Sequence, residues 1–310
     1  MEHTKNPMEN DGSMLVGKSA PLIVSTHRGP IEYAEWGEGP AVLALHGSMG
    51  GYDQGLILGQ TIGEPGYRHL AVSRPGYLGT PLTAGRTPEE QADLCTALLD
   101  ALDIDRAAVM AVSGGGPCAL QFALRYPNRC WALVLVSTCS GKIESRVPLA
   151  FHVVKFLARW RWGAAALRRR AERDPEAAAR RSIPDPVLRK LTLQDPETGP
   201  LFMSLLRSTS DRMALRLPGT ENDIRVTRTT TYPLEQIAVP VLVVHGTADC
   251  LVPFAQHGKT LATRIPGAEL LAIEGGEHVA IFTHRAAVRA RVTQFLREHA
   301  PTAPGALRPD

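Results

Sequence analysis

Three residues of this chain have the types and the order needed for covalent chemistry: Ser113, Asp249 and His278. A serine hydroxyl is a weak nucleophile at neutral pH and needs a base within hydrogen-bond reach. An imidazole, with an ordinary pKa of about 6.5, can be that base. His278 is the candidate. The imidazole in turn needs a carboxylate on its other nitrogen, to fix its tautomer and favour the imidazolium that forms. Asp249, on a preceding loop, fits that role. The order Ser, Asp, His is the one expected when such a set is carried on an α/β sheet.

The sequence around Ser113 suits an exposed nucleophile. Ala107–Val112 is an apolar run short enough to be a buried strand, and Pro117 opens a pattern, Ala119-Leu120-Gln121-Phe122-Ala123-Leu124, that predicts a helix. A sharp turn between them pushes the serine side chain out of the sheet, and only small neighbours two residues to either side let the backbone close. Ala111 and Gly115 are both small, so the segment has the form G-x-S-x-G with Ala111 in place of the first glycine. Taken by itself, the segment also admits a serine that merely caps a helix, as the lesser reading.

The elements that must position these residues alternate between strand and helix. Leu22–Ser25 and Ile31–Trp36 predict an edge hairpin, and the continuous apolar run Ala41–Leu45 predicts a strand covered on both faces. His46-Gly47-Ser48-Met49-Gly50-Gly51 follows, a loop suited to presenting free backbone N–H groups. A short helix near Tyr52–Gln60, a strand at Tyr67–Ser73 and a turn at Arg74-Pro75-Gly76-Tyr77 come next. The turn reads as structural, its bend supplied by Pro75 and Gly76. Thr87-Pro88-Glu89-Glu90 starts a capped helix whose acids Asp93, Asp100, Asp103 and Asp105 read as its solvated face and exit.

After the strand Trp131–Val136 the alternation stops. From Gly141 to Tyr232 apolar and aromatic residues such as Phe151, Phe156 and Trp160 recur at helical spacing among many arginines, with prolines punctuating short pieces. This predicts a helical insertion, and its basic residues read as a solvated face. The strand pattern returns at Val239–Val244 and Glu269–Ile273, with helices over Pro253–Ile265 and from about Arg285 to His299. Such alternation predicts an α/β fold with a mostly parallel central sheet and helices on both faces, whose reactive loops lie beyond the carboxyl ends of the strands. His46–Gly51, Ser113–Gly116, Asp249 and His278 all fall there.

Composition narrows the function classes. With 310 residues, 44% hydrophobic, the chain can bury a large core, and a formal charge of +3 gives no global basic field for nucleic acid. Five cysteines, none in a C-x-x-C pair, predict reduced and mostly buried thiols. The first twenty residues lack the apolar core of a secretory signal, and no run approaches the roughly 18 apolar residues of a membrane span. The expectation is a soluble, cytoplasmic protein. His152, His257, His284 and His299 have no partner at metal-ligand spacing, so neither a metal nor a cofactor is expected.

Taken together, Leu45-His46-Gly47, Arg74-Pro75-Gly76-Tyr77, Ala111-Val112-Ser113-Gly114-Gly115, Gly246-Thr247-Ala248-Asp249 and Gly275-Gly276-Glu277-His278 resemble the α/β-hydrolase-fold serine hydrolases with a helical cap, from about Leu22 to His299. The departures are Ala111 for the usual first glycine and Ser73 where many members carry aspartate. By this resemblance, the N–H groups of Gly114 and Ser48, with Met49 as the neighbouring possibility, form an oxyanion hole. By the same resemblance, a serine at the corner excludes the epoxide hydrolase and haloalkane dehalogenase branches, which use aspartate.

The domain organisation expected is a tail over 1–20, core over 21–140 and 236–299, an inserted cap over 141–235, and a second tail over 300–310. The activity expected is hydrolysis of a small-molecule carboxylic ester or related acyl compound through an acyl-enzyme. Hydrolysis of a carbon–carbon bond in a dienol diketone, or of a lactone, could use the same triad. A small-molecule receptor retaining the fold is the reading from a different class.

Overall fold

The apolar run Ala107–Val112 forms the central strand β5, and both parities of its side chains are covered. Ala107, Val109 and Ala111 join the core on one face of the sheet, and Ala108 and Met110 join the core on the other. Two buried faces explain why the segment is uniformly apolar rather than alternating. The computed structural model describes residues 20–143, 163, 169 and 173–301.

Within them, β1 (Leu22–Thr26), β2 (Gly29–Trp36), β3 (Ala41–Leu45), β4 (Arg68–Val72), β5, β6 (Cys130–Val136), β7 (Val241–Gly246) and β8 (Glu269–Ile273) form one sheet in the order β1-β2-β4-β3-β5-β6-β7-β8. The hairpin β1–β2 is antiparallel to its neighbours, and β3 to β8 run parallel. β3 and β5 sit side by side although β4 lies between them in sequence. The loops leaving their carboxyl ends therefore diverge around a crevice, the usual place for a site in such a sheet.

Helices α1 (Tyr52–Ile62) and α10 (Arg285–His299) cover one face, through Ile57, Leu58, Val292 and Phe295. Helices α2 (Pro88–Ala101) and α3 (Gly116–Arg125) cover the other, through Leu94, Leu98, Leu120 and Phe122. The capped start expected at Thr87 is present. Thr87 Oγ1 accepts from Glu90 N–H at 3.2 Å, and the Glu90 carboxylate accepts from Thr87 N–H at 3.0 Å. Asp93, however, is not on a solvated face: it is buried and accepts from Arg125 Nη2 at 2.8 Å and Tyr126 Oη at 2.7 Å, tying α2 to α3.

Between β6 and β7 the described helices are α4 (Pro175–Ala179), α5 (Pro186–Gln194), α6 (Thr198–Ser210) and α7 (Leu217–Thr229). Pro186 stands at the first position of α5, where the missing N–H is no loss, and Asp185 caps it. Arg173, Arg180 and Arg181 are exposed, as a solvated basic face requires. Phe151, Phe156 and Trp160 lie outside the described residues, as do nearly all of the two tails.

The insertion is fastened to the core by a buried ion pair. Arg216, fully buried, donates from Nη1 and Nη2 to Asp53 Oδ1 and Oδ2 at 3.1 and 2.6 Å. Asp53→Ala would leave that buried guanidinium without a counter-charge, held through Nε on Asp211 O at 2.8 Å. It should lower stability by about 3–5 kcal/mol, read as a shift in the denaturant midpoint.

Two elements after β7 differ from their sequence pattern. The helix expected over Pro253–Ile265 is regular only as α8 (Gly258–Arg264), because Lys259 N–H reaches back five residues to Phe254 O and widens the preceding turns. A short helix, α9 (Ala280–Thr283), follows His278 where no helix was expected.

Candidate active site

Ser113 leaves β5 with φ at +51°, in the left-handed region that L-residues with a Cβ rarely adopt. Such a conformation costs of the order of 1–3 kcal/mol and survives only where the surroundings dictate it. Here they do. A Cβ on Gly115 would stand 2.8 Å from both His46 O and Leu45 O, so the corner closes against the end of β3 only because that side chain is missing. Thr138 Oγ1 donates to Ser113 O at 2.5 Å and holds the far side of the turn.

The three residues singled out by type are brought together from three strand ends. His278 Nε2 lies 3.1 Å from Ser113 Oγ, and His278 Nδ1 lies 2.7 Å from Asp249 Oδ2. A carboxylate can only accept, so Nδ1 carries the imidazole proton and Nε2 is free to accept from the serine hydroxyl. Asp249 is buried, which would raise its pKa. Hydrogen bonds from His245 and His278 outweigh that and hold its carboxyl well below the ordinary range. Asp249 Oδ1 accepts from Leu251 N–H and Val252 N–H, each at 2.9 Å, which fixes the carboxylate in the β7–α8 loop.

The loop after β3 approaches the same point. His46 is fully buried. Burial, and then the charge of Arg74, push its pKa well below the imidazole range, so it is neutral. Its Nε2 accepts from Arg74 N–H at 3.0 Å, which leaves Nδ1–H to donate to Gly47 O at 2.6 Å and set the path of the loop. A Cβ on Gly114 would stand 3.1 Å from Ser48 N, so the two backbone groups expected as a pair are neighbours. Met49, the other possibility, has its N–H engaged: it donates to Thr220 Oγ1 at 3.0 Å.

A cavity of about 90 Å³ opens beside Ser113, lined among the described residues by apolar Cys139, Ile143, Ile224 and Val252 and by polar Ser48, Thr227 and Asp223. Asp223 is the residue that sequence reasoning missed. It sits on α7, buried, and accepts four hydrogen bonds: from Ser48 Oγ (2.9 Å), Arg74 Nη1 (2.8 Å), Arg74 Nη2 (2.7 Å) and Tyr77 Oη (2.5 Å). Burial and the adjoining carboxylate raise the Tyr77 pKa far above the phenol range, so Tyr77 stays a donor. Arg74 and Tyr77 are thus more than parts of a bend. Within α7, Gly219, Thr220, Asp223 and Val226 are all buried and recur at helical spacing. No local pattern in the sequence marks which face of α7 turns inward.

Among the described residues Glu269, Glu298 and His299 converge, a grouping that spacing along the sequence does not reveal, and Arg291 already pairs with Glu269. Cys95, Cys118, Cys130 and Cys139 are buried free thiols and Cys250 is an exposed one. No described helix is long and apolar enough to cross a membrane.

Comparisons with known proteins point to one family. The α/β hydrolase fold family model matches residues 40–285. A poly(3-hydroxyalkanoate) depolymerase of Ectopseudomonas oleovorans is 32% identical over 237 residues, 76% of this chain and 77% of its own. A 2-hydroxy-6-oxononadienedioate/2-hydroxy-6-oxononatrienedioate hydrolase of Burkholderia vietnamiensis is 26% identical, covering 86% and 91%. Among solved structures, an α/β hydrolase fold protein from Nakamurella multipartita superposes with a TM-score of 0.81 at 34% identity, over 90% of this chain and 99% of that one. With the sheet order and matches that run along most of its length in agreement, the chain belongs to the α/β hydrolase fold family.

Proposed function

We propose that the chain hydrolyses an uncharged carboxylic ester with a short acyl group, by way of an acyl-enzyme on Ser113. The observation that supports this most is the unbroken line of hydrogen-bond distances from Ser113 Oγ through His278 to Asp249, 3.1 and then 2.7 Å, beside an apolar cavity. In this reading Ser113 Oγ attacks the ester carbonyl carbon as His278 Nε2 takes its proton. The carbonyl oxygen becomes an oxyanion held by the N–H groups of Ser48 and Gly114. The imidazolium then gives its proton to the departing alkoxide, which leaves as the alcohol. Water repeats the sequence with His278 as base and releases the carboxylic acid and the free serine. Asp249 remains a carboxylate throughout. The segment 141–235 acts as a cap that selects the substrate.

Two features support this substrate class. The cavity is smaller than the roughly 150 Å³ space that accepts benzene in a protein core, which favours acyl chains of about two to four carbons. Among its described lining residues the ionic side chain is Asp223, whose charge Arg74 already matches. No described group there offers a counter-charge to a second substrate carboxylate, such as a dienedioate carries.

A panel of p-nitrophenyl esters tests the proposal. The value of kcat/KM should peak between acetate and butyrate and fall at least about tenfold by octanoate, since added methylenes exceed the space. A fluorophosphonate probe should label Ser113. Turnover of a dienol diketone with none of the esters would favour carbon–carbon bond cleavage, and binding without labelling would favour a receptor.

A further inference from the structure

Asp223 presents an electrostatic difficulty. Its Oδ2 would lie 2.8 Å from a Cβ on Gly114, so a carboxylate stands beside the backbone groups assigned to an oxyanion. Two negative charges a few ångströms apart in a half-buried site repel strongly, and that repulsion would be felt most in the transition state. The neighbouring guanidinium answers this. Arg74 is 2% exposed and meets Asp223 through both terminal nitrogens, so its positive charge stays with the carboxylate.

What the carboxylate does there follows from its other contacts. Asp223 Oδ2 accepts from Ser48 Oγ at 2.9 Å, and Thr220, three residues earlier on the same face of α7, accepts from Met49 N–H at 3.0 Å. One helix of the insertion therefore grips two consecutive residues of the loop after β3. Met49 has φ at +60°, a conformation that needs such support. Thr220 Oγ1 is itself fixed, donating to Arg216 O at 2.9 Å.

We propose that Asp223 and Arg74 form a neutral positioning pair: the carboxylate on α7 orients Ser48, and with it the Ser48 N–H, while the guanidinium cancels the carboxylate's repulsion of the oxyanion. The pair rests on the acyl-enzyme reading above and extends it, making the insertion part of the catalytic geometry as well as of substrate choice. Neither residue touches the reacting atoms; both act through Ser48 and through the local charge.

Charge cancellation distinguishes this role from a merely structural one. Arg74→Gln leaves a bare carboxylate near the oxyanion. It should lower kcat for p-nitrophenyl butyrate, and the second-order rate of fluorophosphonate labelling, by about 30-fold with KM within about threefold. The double variant Arg74→Gln/Asp223→Asn removes both charges yet keeps an oxygen for Ser48. It should recover to within about fivefold of the parent protein. Ser48→Ala, which has no buried charge to strand, should lower both rates about tenfold and serves if Arg74→Gln does not fold. A folded Arg74→Gln with parental rates, a double variant no faster than Arg74→Gln, or a Ser48→Ala with parental rates overturns the proposal. A parent protein that neither labels nor differs from Ser113→Ala overturns the acyl-enzyme reading itself, and the pair's role with it. A labelled parent beside unaffected variants overturns the pair's role and leaves that reading standing.

Discussion

Ser113→Ala is expected to lower kcat for a p-nitrophenyl ester by about 10⁶-fold while leaving the protein folded. The loss is total because the substitution removes the atom that forms the acyl bond, and neither His278 nor the backbone N–H groups can supply another. Stability should hardly change, since alanine keeps the Cβ and with it the strain of φ at +51°. Ser113→Gly should be equally inactive but more stable by about 1 kcal/mol, because glycine adopts that φ freely. The two variants together separate nucleophile from backbone: equal inactivity with unequal denaturation midpoints is the expected pattern. Undiminished turnover by Ser113→Ala would end the assignment.

Ser113 and Asp249 were legible in the sequence because each follows the end of an apolar strand, and a buried strand is written in a handful of consecutive residues, whereas His278 lies five residues beyond the edge strand β8. Val112 to Ser113 and His245 to Asp249 are such local transitions, and the sheet does the rest by bringing parallel strand ends to one edge. The Arg74–Asp223 pair was not legible for the converse reason. Its partners lie 149 residues apart, and which side of α7 faces the core depends on how the insertion docks. Arg74-Pro75-Gly76-Tyr77 reads as a turn from its composition, and it is one: Tyr77 N–H donates to Arg74 O at 3.0 Å. That its two outer side chains also hold a carboxylate from another segment is a tertiary fact. Asp93 fell to the same limit. Helical spacing located its turn of α2 but not Arg125 at the end of α3 and Tyr126 just after it, which bond to it. The start of α8 was missed because no local pattern encodes the five-residue reach of Lys259 N–H.

Asp249→Asn should be nearly as damaging as loss of the nucleophile, by about 10⁴-fold in kcat, and the hydrogen bonds around it say why. Asp249 Oδ1 is fixed by two backbone donors, Leu251 N–H and Val252 N–H, so asparagine must leave its oxygen there and turn its amide toward His278. An N–H group 2.7 Å from Nδ1 forces that nitrogen to accept. The imidazole proton then moves to Nε2, which faces Ser113 Oγ at 3.1 Å and can no longer take the serine proton. Asp249→Ala imposes no such tautomer. It should therefore retain more activity than Asp249→Asn, although it leaves two backbone donors without their acceptor and should be less stable by about 1–3 kcal/mol. The opposite orderings of activity and stability in this pair are what a tautomer-setting carboxylate requires. If asparagine proved the more active of the two, Asp249 would be a loop anchor and not the group that sets the His278 tautomer.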